Sequence, residues 1–212
     1  MDEEQTVIPD PLSRNQIMQM AMVVEGLLIP GAILIGWWGG FDPLDKLALT
    51  RVDLIWGVAG GLGLALLVVA VLALPLQPVR AFRELMDGQV NPMLAASTYP
   101  DRLGIALLAG FCEEMLFRGA IQTLLGQTSI GPWGGIVIAS VLFGALHGLS
   151  LIYFVAATLI GCLLGWLYEH TGNLLGPMVL HGLYDLVILL LLVPYQPVED
   201  SEEDAPDDDS WG

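Results

Sequence analysis

Three short stretches of the chain set ionisable side chains inside apolar runs: Phe111-Cys-Glu-Glu-Met-Leu-Phe-Arg118, Phe143-Gly-Ala-Leu-His147 and His181-Gly-Leu-Tyr-Asp185. A lone charge at the centre of a membrane helix costs about 2.5–3.5 kcal/mol on insertion scales, so such groups persist when they are paired or used. Glu114 and Arg118 are four residues apart with the acid on the N-terminal side, the favourable order for an ion pair on one helix face. Glu113 sits roughly 100° further round the helix and has no helical partner. It is the candidate general base, with Glu114 and Arg118 as the brace that positions it.

The other two stretches add imidazoles. His147 follows Phe143 by one helical turn and His181 precedes Asp185 by one turn, so His181 and Asp185 share a face. Glu113 and His147 are separated by 34 residues, as are His147 and His181. In a bundle of helices joined by short loops, that spacing predicts comparable depth on three different helices and a shared site. Glu113, His147, His181 and Asp185 also form a nitrogen and oxygen ligand set suited to zinc, with water completing the shell. Against a zinc ion stands the lack of a His-Glu-x-x-His pair. A carboxylate and an imidazole can activate water without metal, and both versions fit these residues.

The elements that must hold these groups are transmembrane helices. Among the 212 residues, 55% are hydrophobic and 14% charged, against roughly 25% charged in ordinary soluble domains. The predicted fold is all-α, a polytopic membrane bundle of about six helices: Ile17 to Trp38, Leu54 to Leu76, Leu103 to Leu125, Trp133 to His147, Leu151 to Tyr168 and Leu174 to Val193. The expected organisation is an acidic N-terminal segment over 1–16, a transmembrane pair with an interfacial connection over 17–100, a catalytic core over 101–196 and an acidic disordered tail over 197–212. Of the 23 carboxylates, 12 lie in the two ends, so the net charge of −16 is mostly a property of the tails. Only seven basic residues occur and they form no run, which excludes nucleic acid as an indicated partner. Lys and Arg placement (Arg14, Arg80, Arg83 and Arg102 against Lys46 and Arg51) favours both termini in the cytoplasm. The acidic start lacks a basic n-region, and the first apolar run is expected to remain as a span.

Within this frame, Pro75 and Pro78 are expected to stop the second helix, and Asn91-Pro92 and Tyr99-Pro100 to mark turns. Residues 79–86 alternate charge and bulk at helical spacing, as an interfacial helix would. Gly57, Gly60, Gly61 and Gly63, then Gly134 and Gly135, then Gly161 and Gly165 are small residues of the kind that let membrane helices approach closely. Five tryptophans near span ends fit an interfacial belt. Glu25 could face the site, though it reads first as a polar contact between helices, and His170 reads as a solvated turn histidine. Cys112 and Cys162 carry no disulfide or metal spacing.

The order E-E-x-x-x-R, F-x-x-x-H, H-x-x-x-N/D in apolar helices resembles the CPBP family, the CAAX proteases and bacteriocin-processing enzymes also called Abi proteins. The likeness covers about Asp101 to Val193. It implies an integral membrane endopeptidase acting on a membrane-associated protein or peptide. On that resemblance, Glu113 and His147 activate water, while His181 and Asp185 support the tetrahedral intermediate or help bind a metal. Prenyl-protein-processing members usually carry Asn where Asp185 stands. An amide donates to an oxyanion, whereas an ionised carboxylate only accepts. Asp185 therefore suits orienting His181 or ligating a cation. Two other functions use the same bundle: a non-catalytic immunity or scaffold protein, and a small proton-coupled transporter.

Overall fold

The computed structural model describes residues 12–196. The acidic tail expected over 197–212, and most of the N-terminal segment 1–16, lie outside the described residues. The chain winds into α1 (Arg14–Gly39), α2 (Arg51–Leu72), α3 (Gln77–Leu85), α4 (Asn91–Leu94), α5 (Tyr99–Glu114), α6 (Thr123–Gly126), α7 (Gly131–Leu146), α8 (Leu151–Thr171) and α9 (Leu175–Leu192). Two stretches, Met86–Val90 and Met115–Gln122, take the wider π-helical turn and join their neighbours without a break. Among the described residues there is no strand.

Each of the six apolar runs is helical. The helices α1, α2, α8 and α9 are long and apolar enough to cross a membrane, and α7 is a shorter apolar helix. The third run is the continuous path α5, π stretch, α6. It carries Asp101, Arg102, Glu113, Glu114 and Arg118, so its charge sets it apart from the other spans. These helices and their largely apolar exposed faces make the chain an integral membrane protein. Trp37, Trp38 and Trp133 are among the most exposed of its large side chains, as an interfacial belt requires.

The helix ends follow local chemistry. Ser13 caps α1 and Thr98 caps α5 in reciprocal boxes with Gln16 and Asp101. Gly40 and Gly172 close α1 and α8 with left-handed φ of 75° and 64°. Pro92 and Pro100 do not form turns: Pro100 stands in the first turn of α5, where a missing N–H leaves no bond unmade, and Pro92 stands in α4 directly after the π stretch. Residues 79–86 do begin as a helix: Val79, Phe82 and Leu85 line the partly covered side of α3, while Arg80, Arg83 and Glu84 are exposed.

Close approach of small residues sets the packing. α2 lies on α9, where Gly57 meets Val179 and the Gly176 carbonyl, and Gly61 meets the Leu180 carbonyl. Gly63, by contrast, faces open space, and Gly134 meets only Ile130 of its own helix. On α8, Gly161 backs against Ser140 of α7, and Gly165 against the Gln122 side chain. A close backbone crossing joins α5 to α9: a Cβ on Gly110 would stand 2.8 Å from both Gly182 N and the Met178 carbonyl oxygen. Gly110→Ala is therefore expected to destabilise the fold by about 1–3 kcal/mol through overpacking. A thermal unfolding series in detergent measures this, and an unchanged midpoint would mean that α5 and α9 do not meet at this level.

Candidate active site

Glu113 and Glu114 end α5 where the π stretch begins, and both are buried, at 8% and 0% exposure. Arg118 lies one turn on, in the π stretch, fully buried as well. Its Nη1 donates to Glu114 Oε1 at 2.6 Å and its Nη2 to the Gly161 carbonyl of α8 at 2.8 Å. One turn further, Gln122 Nε2 donates to the Gly165 carbonyl at 3.0 Å. Arg118 and Gln122 thus pair, rung by rung, with the two glycines of the G-x-x-x-G on α8. The lack of side chains there opens the helix backbone to both donors.

Glu114 Oε1 also accepts from His181 Nδ1 of α9 at 2.8 Å. A carboxylate oxygen only accepts, so in this contact Nδ1 carries the proton. The other ring nitrogen of His181, Nε2, faces Asp185 Oδ2 at 3.3 Å and Glu113 Oε2 at 3.8 Å. His147 is the residue on which α7 ends. Its Nδ1 donates to the Phe143 carbonyl at 2.9 Å, which leaves the lone pair of the neutral imidazole on Nε2, 3.9 Å from Glu113 Oε1. Phe143 packs between the two imidazoles, stacked on His147 with centroids 4.5 Å apart and edge-on to His181 at 5.7 Å.

All six residues read from the motifs therefore meet in one cluster, built by α5 with its π extension, α7 and α9. The brace is wider than sequence spacing indicates: Glu114 holds His181 as well as Arg118, and Arg118 reaches α8. Glu113 has each of its oxygens turned to a different imidazole. The gaps of 3.8 and 3.9 Å exceed a hydrogen bond, and each is short enough for a single water molecule to hydrogen-bond both atoms.

Glu25 of α1 was expected to serve as an interhelical contact. Its Oε2 is buried with no hydrogen-bond partner, and the carboxylate lies within electrostatic reach of His181 and Asp185. A second aromatic residue outside the motifs, Tyr153 in the first turn of α8, stands edge-on to His147 at 6.1 Å. Neither residue shares a motif or a helix with the six, and only a predicted depth along α1 and α8 would have drawn attention to them. His170, by contrast, is exposed and stacked on Trp166, 5.0 Å away, far from the cluster as a solvated turn histidine should be.

The zinc ligand set does not assemble. Among the described residues, no three His, Cys, Asp or Glu side chains are arranged to hold a metal ion. The reason is directional: Glu113 points one oxygen at His147 and the other at His181, while Asp185 engages His181 from its own helix.

Removing one member of the buried pair would strand the other. Glu114→Ala leaves Arg118 without its counter-charge and is expected to cost about 3–5 kcal/mol, whereas replacing both residues by apolar ones of similar volume costs far less. Unfolding midpoints of the single and double variants in the same detergent check the ordering.

Comparison with known proteins addresses the same region. Residues 95–187 match the model of the type II CAAX prenyl endopeptidase Rce1-like family. The chain is 41% identical over 105 residues to the uncharacterized protein YpbD of Bacillus subtilis (strain 168), an alignment covering 48% of this chain. The matched part is 51% of YpbD, so the chain spans about half the length of that curated relative. No solved structure matches. The matched segment, residues 95–187, holds every residue of the cluster except Glu25 of α1, and over it the chain is similar to the Rce1-like family.

Proposed function

We propose that the protein is an intramembrane endopeptidase that hydrolyses a peptide bond in a membrane-associated protein or peptide. The observation that carries this reading is the buried Glu113 carboxylate set between the Nε2 atoms of His147 and His181. Glu114 is held by Arg118 and His181, and Asp185 faces His181, so of the motif carboxylates Glu113 is the one set between both imidazoles to act as base. The Rce1-like match supports the same class of enzyme.

In this mechanism a water bridging Glu113 Oε1 and His147 Nε2 loses its proton to the carboxylate as its oxygen attacks the scissile carbonyl carbon. His147 holds the water through its lone pair, an orientation fixed by the Nδ1 bond to Phe143. The carbonyl oxygen takes the negative charge. When the C–N bond breaks, Glu113 passes the proton to the departing amine and returns to its starting state. Glu114 and Arg118 touch neither water nor substrate; they hold His181, and His181 with Asp185 fixes the wall of the cleft opposite His147. The polypeptide enters from the lipid, with both termini on the cytoplasmic side.

Reconstituted protein incubated with bacterial membrane peptides, with products identified by mass spectrometry, tests the proposal. Glu113→Gln keeps the shape of the side chain and removes the base. It is expected to lower product formation by about 10²–10⁴-fold with no loss of thermal stability. Equal product from wild type and Glu113→Gln would sink the hydrolytic reading in favour of a scaffold role, and proton-coupled flux in the same liposomes would mark a transporter.

A further inference from the structure

Hydrolysis through the cluster, the reading on which this inference rests, needs a hydrogen-bond donor for the oxygen that becomes negative in the tetrahedral intermediate. The donors of the cluster are committed or sealed off. Arg118 gives its Nη groups to Glu114 and the Gly161 carbonyl, and its Nε, left without a partner, is closed off with the rest of a fully buried side chain. His181 gives Nδ1 to Glu114 and turns Nε2 to Asp185. His147 spends Nδ1 on Phe143 and presents a lone pair on Nε2. Asp185, an acid where an amide would have donated, offers only acceptor oxygens when ionised.

Two hydroxyls of α8 remain, and Thr158 Oγ1 is buried where α8 packs on Gly144 of α7, which leaves Tyr153 as the partly exposed one. Tyr153 opens α8, three residues after its cap Ser150, whose Oγ accepts from the Tyr153 backbone N–H. Its ring is held on two sides, edge-on to His147 with centroids 6.1 Å apart and at 65° to Phe82 of α3 at 5.7 Å. The imidazole it stands against is the one whose Nε2 lies 3.9 Å from Glu113 Oε1. Tyr184, beside Asp185 in the chain, instead packs against the apolar cluster of Leu64, Leu164, Leu167 and Leu180.

We infer that Tyr153 is a catalytic residue whose hydroxyl donates to the carbonyl oxygen of the scissile bond as water adds from the Glu113 side. The step balances without further reactants: the water proton goes to Glu113 and then to the leaving amine, and Tyr153 keeps its own proton throughout. Phe82 supports the ring from outside the family-matched segment, which gives the interfacial helix α3 a place in the site.

Tyr153→Phe tests this, because it keeps both ring contacts and removes only the hydroxyl. In the reconstituted assay with membrane peptides, the product-forming rate is expected to fall about 10²–10³-fold, with substrate half-saturation and unfolding midpoint unchanged. Tyr184→Phe is expected to match wild type. Asp185→Asn supplies an amide donor beside the same oxygen, so adding it to Tyr153→Phe is expected to restore a tenfold or larger part of the loss. If wild type cleaves, Glu113→Gln does not, and Tyr153→Phe matches wild type, the inference is overturned while the hydrolytic reading stands. A loss that Asp185→Asn leaves untouched, accompanied by a lower unfolding midpoint, would make Tyr153 a packing residue. Should wild type and Glu113→Gln give equal product, both readings fall together.

Discussion

The Glu114 carboxylate is the point on which the bundle turns. A single oxygen accepts from Arg118 on the same helical path and from His181 on α9, and Arg118 reaches beyond it to a backbone carbonyl on α8. Three helices are thereby fixed to each other at one depth by groups that hydrocarbon would penalise if left alone. Such a network contributes more to register than to net stability, since desolvation offsets much of the attraction. Slide α9 by one turn and His181 loses Glu114, its place taken by Pro177 in one direction or by the acid Asp185 in the other.

Close packing makes that network possible. Gly110 and Gly182 let α5 and α9 approach until backbone touches backbone, and Gly161 and Gly165 expose α8 carbonyls to Arg118 and Gln122. In lipid there is little hydrophobic gain from bringing helices together, so contact of small residues and interhelical hydrogen bonds have to do it. The π-helical winding of Met115–Gln122 belongs to the same arrangement. Widened turns of this kind occur often where side chains are aimed at function, and this one carries Arg118 and Gln122 toward α8 directly after the two glutamates.

Much of this was legible in residue types and spacing, because each local pair obeys helix geometry. The Glu114–Arg118 bond follows from a four-residue offset, and the six helical runs from apolar length alone. The meeting of Glu113, His147 and His181 could be anticipated from equal spacing. What spacing does not encode is which neighbour a side chain chooses across helices. His181 was paired with Asp185 because they share a face, yet its closest partner is Glu114, a residue 67 positions away. Glu25 read as a structural contact because one helix says nothing of what lies opposite. Pro92 and Pro100 read as turns because the same ring that breaks a helix also starts one. The zinc set failed on direction, which composition cannot express.

The shortness of α7 has a consequence for solvent. Its 16 residues rise about 24 Å, while the hydrocarbon core is about 30 Å thick. The link from His147 to Ser150 must therefore begin below the headgroups, at a depth where non-helical backbone is tolerated only beside protein or beside water. Every carbonyl and amide of that link that protein does not satisfy is a polar point in an apolar layer. The same few residues end in the imidazole next to Glu113. A dimple of hydration that the backbone itself requires would then open onto the one carboxylate that needs water to react.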